Sequence, residues 1–98
     1  MNISLKRSGG FAGVVEDLGT INTAHLNTET AQQVEKIVQN IEFFNLPAMV
    51  SSGIGADLIR YEITVIDDGR QHMVTFEDDE SPETAPLRHL VETLMKMR

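Results

Sequence analysis

The chain has 98 residues, no cysteine and a formal net charge of −7, with 15 Asp and Glu against 8 Lys and Arg. That length suits one domain spanning residues 1–98 with a single core, and the lack of cysteine excludes disulfide staples, thiolate nucleophiles and cysteine-based zinc sites. The charge argues against nucleic acid or an anionic membrane as partner, because each neutralised phosphate needs a Lys or Arg, and it favours a basic or metal-bearing partner surface instead.

Ile3 and Leu5 alternate with Ser4 and Lys6, the period of a half-buried strand. Ser8-Gly9-Gly10 follows at once, supplying residues that tolerate positive φ in a turn. It also breaks the N-terminal run too early for a secretory leader, and no apolar stretch approaches the ~20 residues of a membrane helix. A cytoplasmic location is therefore expected, with export without a leader as the other route. Phe11 to Ile21 reads as a second strand that is bulged or at a sheet edge, because Val14 and Val15 fall on opposite faces.

From Asn27 the period changes. Ala31, Val34, Ile37, Val38, Ile41 and Phe44 recur at spacings of three and four, which predicts an amphipathic helix of about 17 residues spanning roughly 25 Å. Asn27 or Thr28 can cap it, and Asn45-Leu46-Pro47 stops it. Ala48 to Ala56 reads as a loop, although Met49, Val50 and Ile54 make it unusually apolar for one. Ile59, Tyr61, Ile63 and Val65 then define the clearest strand, Asp68-Gly69 a tight hairpin turn, and Gln71 to Glu77 the return strand. An acidic run, Glu77 to Glu83, precedes a last helix opened by Thr84-Ala85-Pro86, with Leu87, Leu90, Val91, Leu94 and Met95 as its stripe.

The order ββαββα places the chain in the α+β class, and a four-stranded antiparallel sheet with two helices packed on one face is the simplest way to bury both helical stripes. If each element crosses the molecule once, Ser8 to Gly13, Pro47 to Ala56 and Asp78 to Glu83 lie at one end, and the Asp68-Gly69 turn lies at the other. The first of these ends is the expected working surface.

Catalytic residues, a metal site and a cofactor are not expected. His25, His72 and His89 fall in three different elements with no metal-ligand spacing, and His72 reads as a strand residue with a satisfied ring nitrogen. The glycine-rich segment fits neither phosphate-loop pattern and leads into a strand, not a helix. The acidic run lacks calcium-loop spacing and reads as a solvated loop. No enzyme is expected, which leaves binding to another protein. Phe11, among glycines and alanine, either anchors the core at the start of the second strand or is offered outward on a tight turn; core is the commoner case.

Several motifs occur together and in order: Ser8-Gly9-Gly10-Phe11-Ala12-Gly13 after a short strand; Phe44-x-Leu46-Pro47 closing a helix; Gly55-Ala56-Asp57 before Tyr61-x-Ile63-Thr64-Val65; Asp68-Gly69-Arg70-x-His72-x-Val74; and a Leu-rich final helix. Together they resemble the emfourin family, bacterial proteinaceous inhibitors of protealysin-like metalloproteases, and the resemblance spans essentially the whole chain. It implies that the chain blocks the active-site cleft of a thermolysin-type zinc peptidase, the zinc being the protease's. It also implies that Ser8, Gly9, Gly10, Phe11, Ala12 and Gly13, with Ile54 and Asp57, form the protease-binding set. Phe11 then becomes a candidate for the primed-side apolar pocket, Met49, Val50 and Ile54 a second apolar contact, and Asp57 with the acidic run a steering charge. A monomer is expected. The other reading is a small interaction or adaptor module whose partner is not a protease.

Overall fold

The computed structural model describes residues 1–9, 15–50 and 59–97. Its strands are β1 (Asn2–Gly9), β2 (Glu16–Asn22), β3 (Met49–Val50), β4 (Ile59–Asp67) and β5 (Arg70–Glu77); its helices are α1 (Thr28–Asn40) and α2 (Ala85–Lys96). Short 3-10 turns occupy Thr23–His25 and Phe43–Asn45. The strands form one sheet in the order β2-β1-β4-β5-β3. The α+β class, the two helices and the four expected strands are all present.

The sheet differs from the expected four-stranded antiparallel one by a fifth strand. Met49 and Val50 pair parallel with Thr75 and Phe76, which makes the sheet mixed. The chain is held there by the Thr75 amide, which donates to the Ala48 carbonyl at 2.8 Å, and by His72 Nε2, which donates to the Leu46 carbonyl at 2.7 Å. The apolar content of this supposed loop follows: Val50 packs against the core beside Phe76, while Met49 stands on the opposite face.

Alternation sets the faces. Ile3 and Leu5 of β1, Ile63 and Val65 of β4, and Val74 and Phe76 of β5 point to one side, where Val34 and Val38 of α1 and Leu87, Leu90, Val91 and Leu94 of α2 close the core. The second strand is, as expected, a bulged edge. Leu5 pairs with Gly19 but Lys6 with Asp17, so Leu18 is the extra residue. Gly19 takes φ +116°, and its amide donates to Asp17 Oδ1 at 2.9 Å. A charged, bulged edge of this kind resists pairing with stray strands.

The first helix is shorter than its apolar spacing predicts. Asn27 caps it by accepting from the Thr30 amide at 2.8 Å, but it ends at Asn40, and Glu42 adopts φ +53°. That left-handed residue swings the chain into the Phe43–Asn45 turn and changes which aromatic is buried. Phe43, not Phe44, is fully enclosed. Phe44 packs edge-on to Phe43, and the Arg70 guanidinium lies 4.3 Å from the centroid of its ring. The Asp68-Gly69 hairpin forms as expected, with φ values of +51° and +81° and Asp67 paired with Arg70.

The acidic run has none of its carboxylates buried, in keeping with the solvated loop expected, but it is also organised as a hydrogen-bonded turn. Asp79 Oδ1 accepts from the Ser81 amide at 2.9 Å and from the Thr84 hydroxyl at 3.1 Å. Arg88 reaches back from α2, donating to the Ser81 carbonyl at 2.9 Å and to Thr84 Oγ1 at 3.3 Å. Thr84 itself is completely buried.

Two stability measurements check these assignments. Phe43→Ala should cost about 3–5 kcal/mol in urea unfolding, as expected for an emptied aromatic site, and Phe44→Ala clearly less; equal losses would contradict the early end of α1. Thr84→Val should cost about 1–3 kcal/mol because it leaves buried polar partners unmet, whereas Thr84→Ser retains the hydroxyl and should unfold near the wild-type midpoint.

Candidate functional site

The strand registers decide which ends of the sheet share a side. β1 runs antiparallel to β4 with Ser8 opposite Arg60 and Gly9 opposite Ile59. β4 in turn pairs Arg60 with Glu77, and the Asp78 amide donates to the Ile59 carbonyl at 2.8 Å. Val50, beside Phe76, heads the same way because β3 is parallel to β5. The segments that join Gly9 to Val15 and Val50 to Ile59, together with the acidic turn, therefore all attach at one end of the sheet. This is the end expected to carry the working surface. The Asp68-Gly69 hairpin attaches at the other, as does Asn22, paired with Asn2.

Of the eight residues in the expected protease-binding set, the structure places two. Ser8 and Gly9 close β1 at this end, and Gly9 adopts φ +116°, a conformation that side-chain-bearing residues rarely take. Gly10, Phe11, Ala12, Gly13, Ile54 and Asp57 lie outside the described residues. The second apolar contact expected from Met49, Val50 and Ile54 is not a common surface: Val50 is half-buried at the core, and Met49 lies on the opposite face of the sheet.

Two residues at this end had not been singled out from the sequence. Val15 is 62% exposed just before β2, and Ile59 is 42% exposed at the start of β4, so apolar side chains flank the end of β1 on both neighbouring strands. Ile59 opens the alternating run Ile59, Tyr61, Ile63 and Val65, and alternation aims it to the helix side. Its exposure at the first position of the strand is not something periodicity alone reveals.

Beneath this end sits a polar support. Arg7 bonds Glu16 at 3.0 Å across the β1–β2 pair, and hydrogen bonds with Glu16 and then Tyr61 hold its guanidinium above the usual arginine range. Tyr61 stacks on Phe76 with ring centroids 5.4 Å apart. Beside it a shallow groove of about 280 Å³ is bordered by Tyr61, Asp78, Glu80 and Arg88. The Arg88 guanidinium also lies 3.9 Å from Asp78, which is only partly exposed. This end thus presents a positive-φ glycine, two exposed apolar residues and a braced acidic turn, an arrangement suited to contact with another protein.

Among the described residues no group of three or more His, Asp or Glu could hold a metal ion. His72 has its ring nitrogen satisfied by Leu46, as expected, and sits edge-on to Phe43 at 5.7 Å. His25 and His89 are exposed elsewhere. No helix among the described residues is long and apolar enough to cross a membrane.

The model of the Emfourin family matches the chain over residues 5–95. No curated protein and no solved structure matches the chain. The match covers both helices almost entirely and every strand but the first residues of β1, so it embraces the fold and the end of the sheet just described. The chain is a member of the Emfourin family.

Proposed function

We propose that this protein inhibits a protealysin-like, thermolysin-type zinc metalloprotease by placing the loops at one end of its sheet in the active-site cleft. Family membership over nearly the whole chain is the observation that carries this reading. The geometry supports it through the clustering of three connections at the end marked by Gly9, Ile59 and Asp78.

In this mechanism the paired strands fix where the connections begin and end, which lowers the entropy cost of binding through them. Ser8 supplies a polar contact. Gly9, Gly10 and Gly13 allow close backbone approach, and Ala12 keeps the segment slim. Phe11 occupies the protease's primed-side apolar pocket, with Ile54 and Asp57 as flanking contacts and Val15 and Ile59 as further apolar ones. Asp78 and Glu80 steer a basic partner surface, an effect on the association rate that weakens as salt rises. Asp79 has a different part in this scheme, since its carboxylate holds the turn together.

Titration of a protealysin-like protease with this protein, read on a peptide substrate, should show activity falling sharply near one equivalent. A flat titration, with binding to some non-protease partner instead, would replace the inhibitor reading with that of an adaptor module. In the same assay Phe11→Ala should weaken inhibition by about 2–4 kcal/mol, the loss typical of a central anchor, while leaving the unfolding midpoint close to wild type. A collapse of folding in that variant would place Phe11 in the core.

A further inference from the structure

The two helices cover one face of the sheet, and among the described residues no element packs on the other. Five large apolar side chains are exposed among the described residues, and three of them sit on this open face: Met49 (46%), Ile66 (41%) and Met73 (46%). Their positions are related. Met73 of β5 faces Thr64, two residues before Ile66 on β4, and Met49 of β3 faces Thr75, two residues beyond Met73. Diagonal neighbours of this kind lie about 7–8 Å apart, within reach of long side chains. The three form an oblique stripe across three adjacent strands.

The charge on this face is also unusual for so acidic a protein. Lys6 stands between its two register partners, Asp17 and Glu62, and Arg60 lies 4.0 Å from Glu77. The face thus carries two cations against three carboxylates, and most of the net charge of −7 falls on other surfaces. The remainder is small and polar, with Ser4 and Thr20 bonded to each other at 3.1 Å.

We propose that the open face is the interface of a homodimer, in which two sheets pack face to face with the Met49–Met73–Ile66 stripe at the centre. A second copy is the occupant this face fits. Two chains of −7 repel each other, and this face, with two cations against three carboxylates, adds little to that repulsion. The face is also self-complementary: an oblique apolar stripe crosses its twofold mate when aligned sheets pack at about −30°. The area is adequate. Strands of 8, 7, 2, 9 and 8 residues, about 4.8 Å apart and rising ~3.4 Å per residue, present roughly 550 Å² per copy. The total of roughly 1,100 Å² lies in the range of weak, transient interfaces, just under that of stable ones, so the dimer is reversible. Because the binding end is at the strand ends marked by Gly9 and Ile59 and not on this face, each copy keeps it, and the inference does not depend on the protease reading.

Sedimentation velocity of the full chain, from micromolar to millimolar concentration, tests this. A concentration-dependent shift from monomer to dimer is expected, tightened by added salt because screening weakens the mutual repulsion. Met73→Glu should raise the dimer dissociation constant at least about tenfold by burying unpaired like charges at the centre, and Met73→Leu should leave it near wild type. Thermal unfolding of Met73→Glu should match wild type, as the position is exposed, and its protease titration should keep the same equivalence point. A single monomer boundary at all concentrations overturns the proposal, as does a Met73→Glu variant that dimerises like wild type. A monomeric wild type whose Met73→Glu variant loses inhibition would give this face to the protease instead, and would equally overturn it.

Discussion

The antiparallel ladder between β1 and β4, eight residue pairs from Asn2 opposite Ile66 to Gly9 opposite Ile59, is the constraint on which the rest of the molecule depends. It joins the N-terminal strand to the C-terminal half of the chain and sets the inward face for Ile3, Leu5, Ile63 and Val65 together. A slip of β1 by one residue would turn Ile3 and Leu5 to the opposite face of the sheet. The same ladder puts Gly9 beside Ile59, and therefore beside the start of the acidic turn. Core and binding end are two consequences of one register.

Where local pattern and final structure agree, the pattern was dense enough to outvote alternatives. The alternation from Ile59 to Val65, the Asp-Gly turn and the Leu-rich stripe of α2 each combine several residues with one reading, and each is present as read. The shared end of the three connections followed from element order alone. Disagreements arise where few residues or distant ones decide. Two residues of β3 cannot display a period, and their parallel pairing depends on β5, more than twenty positions away. The end of α1 is set by the left-handed turn at Glu42 and by Phe43 filling the core, although the apolar spacing continues to Phe44. The hydrogen bonding of the acidic turn was hidden from composition because its organising partner, Arg88, belongs to the next helix.

The candidate site was legible in a similar measure. Gly9 announces itself within a glycine run, and its positive φ gives that run a reason. The exposure of Val15 and Ile59 is a property of the packed fold and not of neighbouring residues. With no cysteine to staple it, the fold instead ties its irregular parts down by side chains on regular ones. His72 holds Leu46 in front of β3, Arg70 covers Phe44, and Arg88 braces Ser81 and Thr84.

The position of β1 between β2 and β4 has a consequence for how the chain is made. β4 and β5 meet through a two-residue turn and can pair as soon as both exist, whereas β1 must wait for a partner some sixty positions downstream. Closing so long a loop is slow compared with hairpin formation. On a translating ribosome the first hairpin would therefore emerge with one flank of its inner strand unpaired, and would complete its sheet only after β4 has cleared the exit tunnel. Because the binding end is assembled by that same docking step, the protein gains its working surface late in synthesis, nearly all at once.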